Sequence, residues 1–163
     1  MTSAVQYSWL ESPVGRLLAA GDEEGLVSLS IEGQRWTSGV GAGWRRAEAP
    51  FAELRRQLGE YFAGERREFE LTLRFGGSEF RRRVWEALRA IPFGETRSYG
   101  QLASSVGRPG AARAVGLANG RNPFAIVVPC HRVIGADGSL VGYGGGLERK
   151  RWLLDHELRS SGS

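Results

Sequence analysis

The chain has 163 residues, one ordinary domain's worth or two small ones, with 41% apolar and 25% charged residues, a balance that excludes a disordered tail and a fibrous repeat. No apolar stretch approaches the roughly 18 residues needed to span a bilayer, no basic segment precedes an apolar signal core at the N-terminus, and one cysteine with two histidines builds neither an internal disulfide nor the usual four-ligand zinc site. The net charge of +4 is unevenly divided: residues 1–78 carry 9 basic and 11 acidic side chains, residues 79–163 carry 13 and 7, and every basic residue but Lys150 is arginine.

This reads as a soluble, unexported protein. Arginine's planar fork suits phosphates and base edges, so a polyanionic partner fits the C-terminal half. A compositional bias toward arginine across the whole proteome fits the counts as well.

In chain order, the N-terminal part reads as a β-meander: Val5 to Leu10, a turn at Ser12-Pro13-Val14-Gly15, Arg16 to Ala20, a turn at Asp22 to Gly25, and Leu26 to Ile31. Gly33 to Trp44 reads as a loop. Pro50 sits where a first helical turn tolerates it, Phe51, Leu54, Leu58, Tyr61 and Phe62 follow at helical spacing, and Gly64 can end that helix. Glu70 to Phe75 alternates as a further strand would. At Gly76-Gly77-Ser78 the acidic and basic halves meet, and two glycines with an N-cap serine mark a junction between a domain of residues 1–78 and one of 79–163.

Phe80, Val84, Leu88 and Ile91 then form the apolar stripe of a helix that Pro92 and Gly94 stop. Ser98 to Val106 reads as a second helix, Gly107 to Gly110 as a tight turn, and Ala111 to Asn119 as a third helix. Helix, turn and helix in a basic half match the helix-turn-helix arrangement, although such pairs also occur in proteins that do not touch DNA. Phe124 to Val128 reads as a short apolar strand ending at Pro129. Residues 135–146 hold six glycines, a backbone able to lie close against a ligand. A final helix from about Leu147 to Leu158 turns Leu147, Leu154 and Leu158 toward the core. No internal repeat is visible.

A lone cysteine is commonly a small buried hydrophobe. Cys130, however, lies between a proline and a histidine and just before the glycine-rich stretch, a setting that also suits a nucleophile. A free thiol with a pKa of about 8.5 supplies little thiolate at neutral pH. His131 is one candidate base, acting through a water because adjacent side chains often point apart, and an acid orienting it would complete the relay.

Pro129-Cys130-His131-Arg132-Val133 resembles the motif of the O6-alkylguanine-DNA alkyltransferases, the direct-reversal DNA repair proteins. The resemblance runs in order through Pro92-Phe93-Gly94-Glu95, Ser98-Tyr99, Ala111-Ala112-Arg113-Ala114-Val115-Gly116, Asn122-Pro123, Tyr143-Gly144-Gly145-Gly146 and Trp152 to Glu157. It implies an α+β fold: a small β-containing, ribonuclease-H-like N-terminal domain, for which the first half has no comparably specific motif, then a mostly helical, winged helix-turn-helix-like domain. It also implies a single irreversible transfer of a methyl or larger alkyl group from O6 of guanine in duplex DNA to Cys130, with no metal and no organic cofactor.

By the same resemblance His131 is the general base and Glu157 the acid that orients it. Arg113 is the finger that enters the base stack from the minor groove, with Ala112 and Ala114 small enough to admit the helix. Tyr99 donates to guanine N3 and crowds the rotated nucleotide's phosphate. Asn122 braces the turn around the cysteine, backbone groups of Cys130 and Val133 accept from the guanine amine, Tyr143 is a pocket wall, and the Gly144 amide donates to O6. Gly144 stands where some relatives have serine and Asn119 where some have methionine, so the range of alkyl groups and the polarity of the pocket are set by this chain itself. A monomer without an obligate protein partner, cytoplasmic in a cell without a nucleus, is expected. Three rival readings remain: a lesion sensor that binds without repair and lacks the reactive cysteine, a winged helix-turn-helix regulator, and a cysteine hydrolase.

Overall fold

The computed structural model describes residues 5–161 apart from 36 and 38, so two positions of the Gly33 to Trp44 loop lie outside the described residues. The meander forms as β1 (Gln6–Leu10), β2 (Leu17–Asp22) and β3 (Gly25–Ile31), antiparallel in turn, and β4 (Arg45–Arg46) pairs parallel to β1, giving the order β3-β2-β1-β4. β2 is central and buried from Leu17 to Gly21, the continuous apolar reading of a strand covered on both faces. β4 has only two arginines and left no apolar signal in the sequence.

The segment Glu70 to Phe75 does not become a full strand. It makes one bridge, Leu26 with Leu73, because further along β3 Leu29 pairs with Phe124 instead: Leu29 N–H donates to Pro123 O and Ala125 N–H to Leu29 O, both at 2.8 Å. The outer edge of β3 is thus shared between the two halves of the chain. α1 (Ala52–Phe62), entered through a 3-10 turn holding Pro50, buries Leu54, Leu58 and Tyr61 beneath the sheet, and Gly64 at φ +80° follows it.

In the second half α2 (Glu79–Arg89) is capped by Ser78, whose Oγ accepts from Arg81 N–H at 3.2 Å, and buries Val84, Trp85 and Leu88. α3 (Tyr99–Ser105) begins with a reciprocal Ser98–Gln101 capping box. Trp85 Nε1 donates to Ala118 O at 2.9 Å, fixing α2 against α4 (Ala112–Gly120). A two-residue parallel pair, β5 (Arg97–Ser98) with β6 (Val133–Ile134), ties the start of α3 to the chain just beyond Cys130.

Two sequence expectations are corrected here. Phe124 to Val128 is wound into turns, with buried Ile126 in the left-handed region at φ 72°, a conformation that β-branched residues rarely adopt. α5 (Leu147–Ser161) buries Lys150, Leu153, His156 and Glu157, whereas Leu147 and Leu158 are 49% and 60% exposed and Leu154 is half-buried. The inward face is polar because each polar group meets a dedicated partner: backbone carbonyls for Lys150, Tyr61 O for His156, and the His131 and Arg132 side chains for Glu157. One apolar core runs through both halves, from Leu17, Leu29 and Ile31 to Val84, Val115 and Leu153.

Candidate active site

Asn122, just beyond α4, folds the chain that presents the cysteine. Its Nδ2 donates to Val128 O at 2.8 Å and Phe124 O at 3.2 Å, and its Oδ1 accepts from Phe124 N–H at 3.0 Å. One buried carboxamide therefore closes the wound segment that the sequence disguises as a strand. Cys130 follows at the start of a 3-10 turn (Cys130–Arg132), 7% exposed, on the wall of a cleft of about 120 Å³. Tyr99 and Asn119 line that cleft from α3 and α4, and Gly142, Tyr143 and Gly144 line it from the glycine-rich loop. At φ +60° Gly142 lies in the left-handed region, and a Cβ there would meet Tyr99 Oη at 3.3 Å. A more open cleft of about 290 Å³, lined by Arg81 and Arg121, adjoins this one through Gln34, Arg35 and Asn122.

Behind the cysteine sits a buried ionic cluster. His131 Nε2 lies 2.7 Å from Glu157 Oε2, Arg132 Nε donates to Glu157 Oε1 at 2.8 Å and its second nitrogen to Oε2 at 3.0 Å, and Tyr61 Oη donates to Oε2 at 2.6 Å. Burial would raise the Glu157 carboxyl, but His131 and Arg132 outweigh it and hold the group well below the ordinary carboxylate range. Glu157 is therefore an acceptor only, which requires Nε2 of His131 to carry the hydrogen and leaves Nδ1 as the basic nitrogen. That Nδ1 is buried and has no hydrogen-bond partner among the described residues. Burial lowers the imidazole's pKa against the pull of Glu157, and burial raises the Cys130 thiol, opposed by Asn122 and by the charge of Lys150. The resting pair is thus neutral thiol and neutral imidazole.

Buried polar atoms are nearly always paired. Besides His131 Nδ1, two more unpaired ones belong to cleft residues: Asn119 Oδ1, whose Nδ2 points to Cys130 O at 3.4 Å, and Tyr143 Oη. Tyr99 Oη donates to Val141 O at 3.1 Å, and burial raises its pKa, so the phenol keeps its proton at neutral pH. Among the described residues no His, Cys, Asp and Glu side chains gather as a metal-holding group, and no helix is long and apolar enough to cross a membrane.

The structure thus brings Cys130, Asn122, Asn119, Tyr99, Tyr143 and Gly144 to one cleft and sets His131 and Glu157 behind it. Val133 is buried behind the wall, with its carbonyl accepting from Lys150 Nζ at 2.5 Å. Arg113 and Ala114 stand exposed, and Ala112 half-buried, in the first turn of α4, away from the cleft. Sequence reasoning missed Tyr61, which looks like any core aromatic, as well as Arg132 and Gln34. Of these only Arg132, inside the cysteine motif, left a signal.

Two family models cover most of the chain: "6-O-methylguanine DNA methyltransferase, ribonuclease-like domain" matches residues 5–75 and "6-O-methylguanine DNA methyltransferase, DNA binding domain" residues 79–159. A methylated-DNA–protein-cysteine methyltransferase of Mycolicibacterium paratuberculosis is 55% identical, over 96% of this chain and 94% of the relative. One of Methanosarcina acetivorans is 52% identical over 93% and 97%. The Mycobacterium tuberculosis OGT in complex with DNA superposes with a TM-score of 0.90 at 50% identity, covering 95% of this chain and 94% of that one.

Proposed function

The chain belongs to the 6-O-methylguanine DNA methyltransferase family, and from that premise we propose that Cys130 receives the alkyl group. The protein repairs alkylated DNA by direct reversal, as a protein-cysteine methyltransferase. One observation carries the assignment: such a transferase needs a cysteine acceptor, this chain has one cysteine, and that cysteine lines the cleft.

The neighbours supply the rest. Nδ1 of His131 takes the thiol proton through a water, and Glu157 steadies the resulting imidazolium. The thiolate attacks the alkyl carbon, so the sulfur–carbon bond forms as the carbon–O6 bond breaks and the electron pair passes to the guanine. Tyr99 gives that base a proton at N3. The proton lost at sulfur equals the one gained by guanine, and His131 and Tyr99 regain their resting states by exchange with solvent. Backbone groups at Cys130 and Gly144 read the base, and Tyr143 and Asn119 wall the pocket, while Val133, buried with its carbonyl already taken by Lys150, supports that wall from behind rather than reading the base. The thioether has no route back, so each molecule acts once.

Guanine O6 in a duplex is out of a pocket's reach, and the nucleotide has to rotate out of the stack. Arg113 is exposed and makes no hydrogen bond or ion pair among the described residues. With Ala112 and Ala114 beside it, it is the side chain placed to fill the gap from the minor groove. Residues 79–163 then hold acceptor and DNA contacts, and 1–78 scaffold them. Every group invoked comes from one chain, so a monomer suffices, and a DNA substrate puts the protein in the cytoplasm of a cell without a nucleus.

Mixing the protein with duplex carrying O6-methylguanine should add one methyl mass to the peptide bearing Cys130; an unchanged mass would overturn the assignment. Arg113→Ala should slow transfer from duplex on the order of tenfold, a loss of about 1.4 kcal/mol, while transfer from the free base analogue stays near wild type. Equal losses on both substrates would remove the stack-filling role.

A further inference from the structure

The chain uses arginine for every cation except Lys150, and that single lysine is fully buried. Its Nζ has three hydrogens and three acceptors: Val133 O at 2.5 Å, Val141 O at 2.8 Å and Gly142 O at 3.4 Å. No carboxylate pairs with it among the described residues, an arrangement that buried cations ordinarily avoid. A compact ammonium donates in three directions, which a flat guanidinium does not, and this accounts for the exception to the chain's habit.

Two of the three carbonyls belong to the loop that forms the outer wall of the cleft, and the third lies three residues beyond Cys130. Val141 O is also where the Tyr99 hydroxyl rests. When Tyr99 turns to an incoming base, Lys150 still satisfies that carbonyl, so the wall keeps its place. We infer that Lys150 is a positioning residue for the transfer: its ammonium pins the Val141–Gly142 wall to Val133 and holds an uncancelled positive charge toward the acceptor sulfur.

The ionisable groups that feel this charge are Cys130, whose thiol it lowers, and His131, whose imidazole it also lowers. The first effect favours proton removal from sulfur and the second weakens the base, so the balance shows in a pH profile. Burial brings Lys150 itself down to about 8, and the Cys130 thiolate works against that fall.

The inference rests on Cys130 as acceptor, and the experiment separates the two. Single-turnover transfer from O6-methylguanine duplex is followed against pH for wild type, Lys150→Gln, which keeps N–H donors without charge, and Lys150→Met, which keeps neither. Both variants should move the acid limb up by about one unit, a tenfold slower transfer at neutral pH. Lys150→Met in a Cys130→Ser background should also bind the lesion duplex about tenfold more weakly. An unmoved acid limb, or wild-type rates in both variants, would overturn the inference, whereas failure of any protein to gain methyl mass on Cys130 would overturn the acceptor assignment instead. Should the variants not fold, 13C-lysine labelling gives one side-chain resonance in the wild-type chain. It should titrate at about 8, and titration at about 10.4, as for an exposed lysine, would likewise overturn the inference.

Discussion

Cys130→Ser should abolish alkyl transfer completely while leaving lesion binding and the fold in place. A serine hydroxyl ionises far above any pH at which the protein is folded, and the imidazole beside it, itself made less basic by burial, is too weak to take that proton. The substitution swaps sulfur for a smaller oxygen at a site already walled by hydrogen-bonding groups, so the cost in stability should stay within about 1.5 kcal/mol. The chain holds no second cysteine to take over. Intact mass after incubation with O6-methylguanine duplex should show no adduct, and anisotropy with the same duplex should show binding retained. Loss of both would make Cys130 a packing residue.

Glu157→Gln should be the most destabilising single change in the site, about 3–5 kcal/mol, because it strands the buried Arg132 guanidinium without its counter-charge. For a chain of this length that lowers Tm by roughly 6–20 °C. The folded carboxyl lies below its unfolded value of about 4.3, so its stabilisation is fully present above that value and is lost as pH falls toward the depressed one. Melting both proteins at pH 7, 5, 4 and 3 should therefore show a gap that is constant down to about pH 5 and narrows below it. A gap that stays constant to pH 3 would mean that shape, not charge, holds the cluster. Transfer should slow as well, since a neutral amide does less to steady the imidazolium.

Much of this site was legible through the cysteine motif and the runs that resemble the family in order, which pointed to Cys130, His131 and Glu157, and the last two do meet, at 2.7 Å. The helix cap at Ser78 followed from ordinary hydrogen-bond needs. What escaped were positions where the partner decides the meaning. Leu147 and Leu158 look like the buried face of α5, yet the face that turns inward is the one whose Lys150, His156 and Glu157 each find a distant acceptor or donor. Phe124 to Val128 has a strand's composition, but the Asn122 carboxamide claims backbone groups of Phe124 and Val128, and Val128 N–H turns back to Phe124 O, so the segment winds up. The strands β4, β5 and β6 have two residues each, too short for alternation to register.

The Tyr61 phenol, delivered by α1 of the first half, gives Glu157 one of its hydrogen bonds, and Leu29 of the sheet holds the Phe124 segment in register. A gene split at the glycines before Ser78 would accordingly produce no miniature repair module. The helical fragment would display raw apolar surface where β3 had lain, and its carboxylate would be open to water, so the two polypeptides would have to be made together and recombine before either could protect a genome.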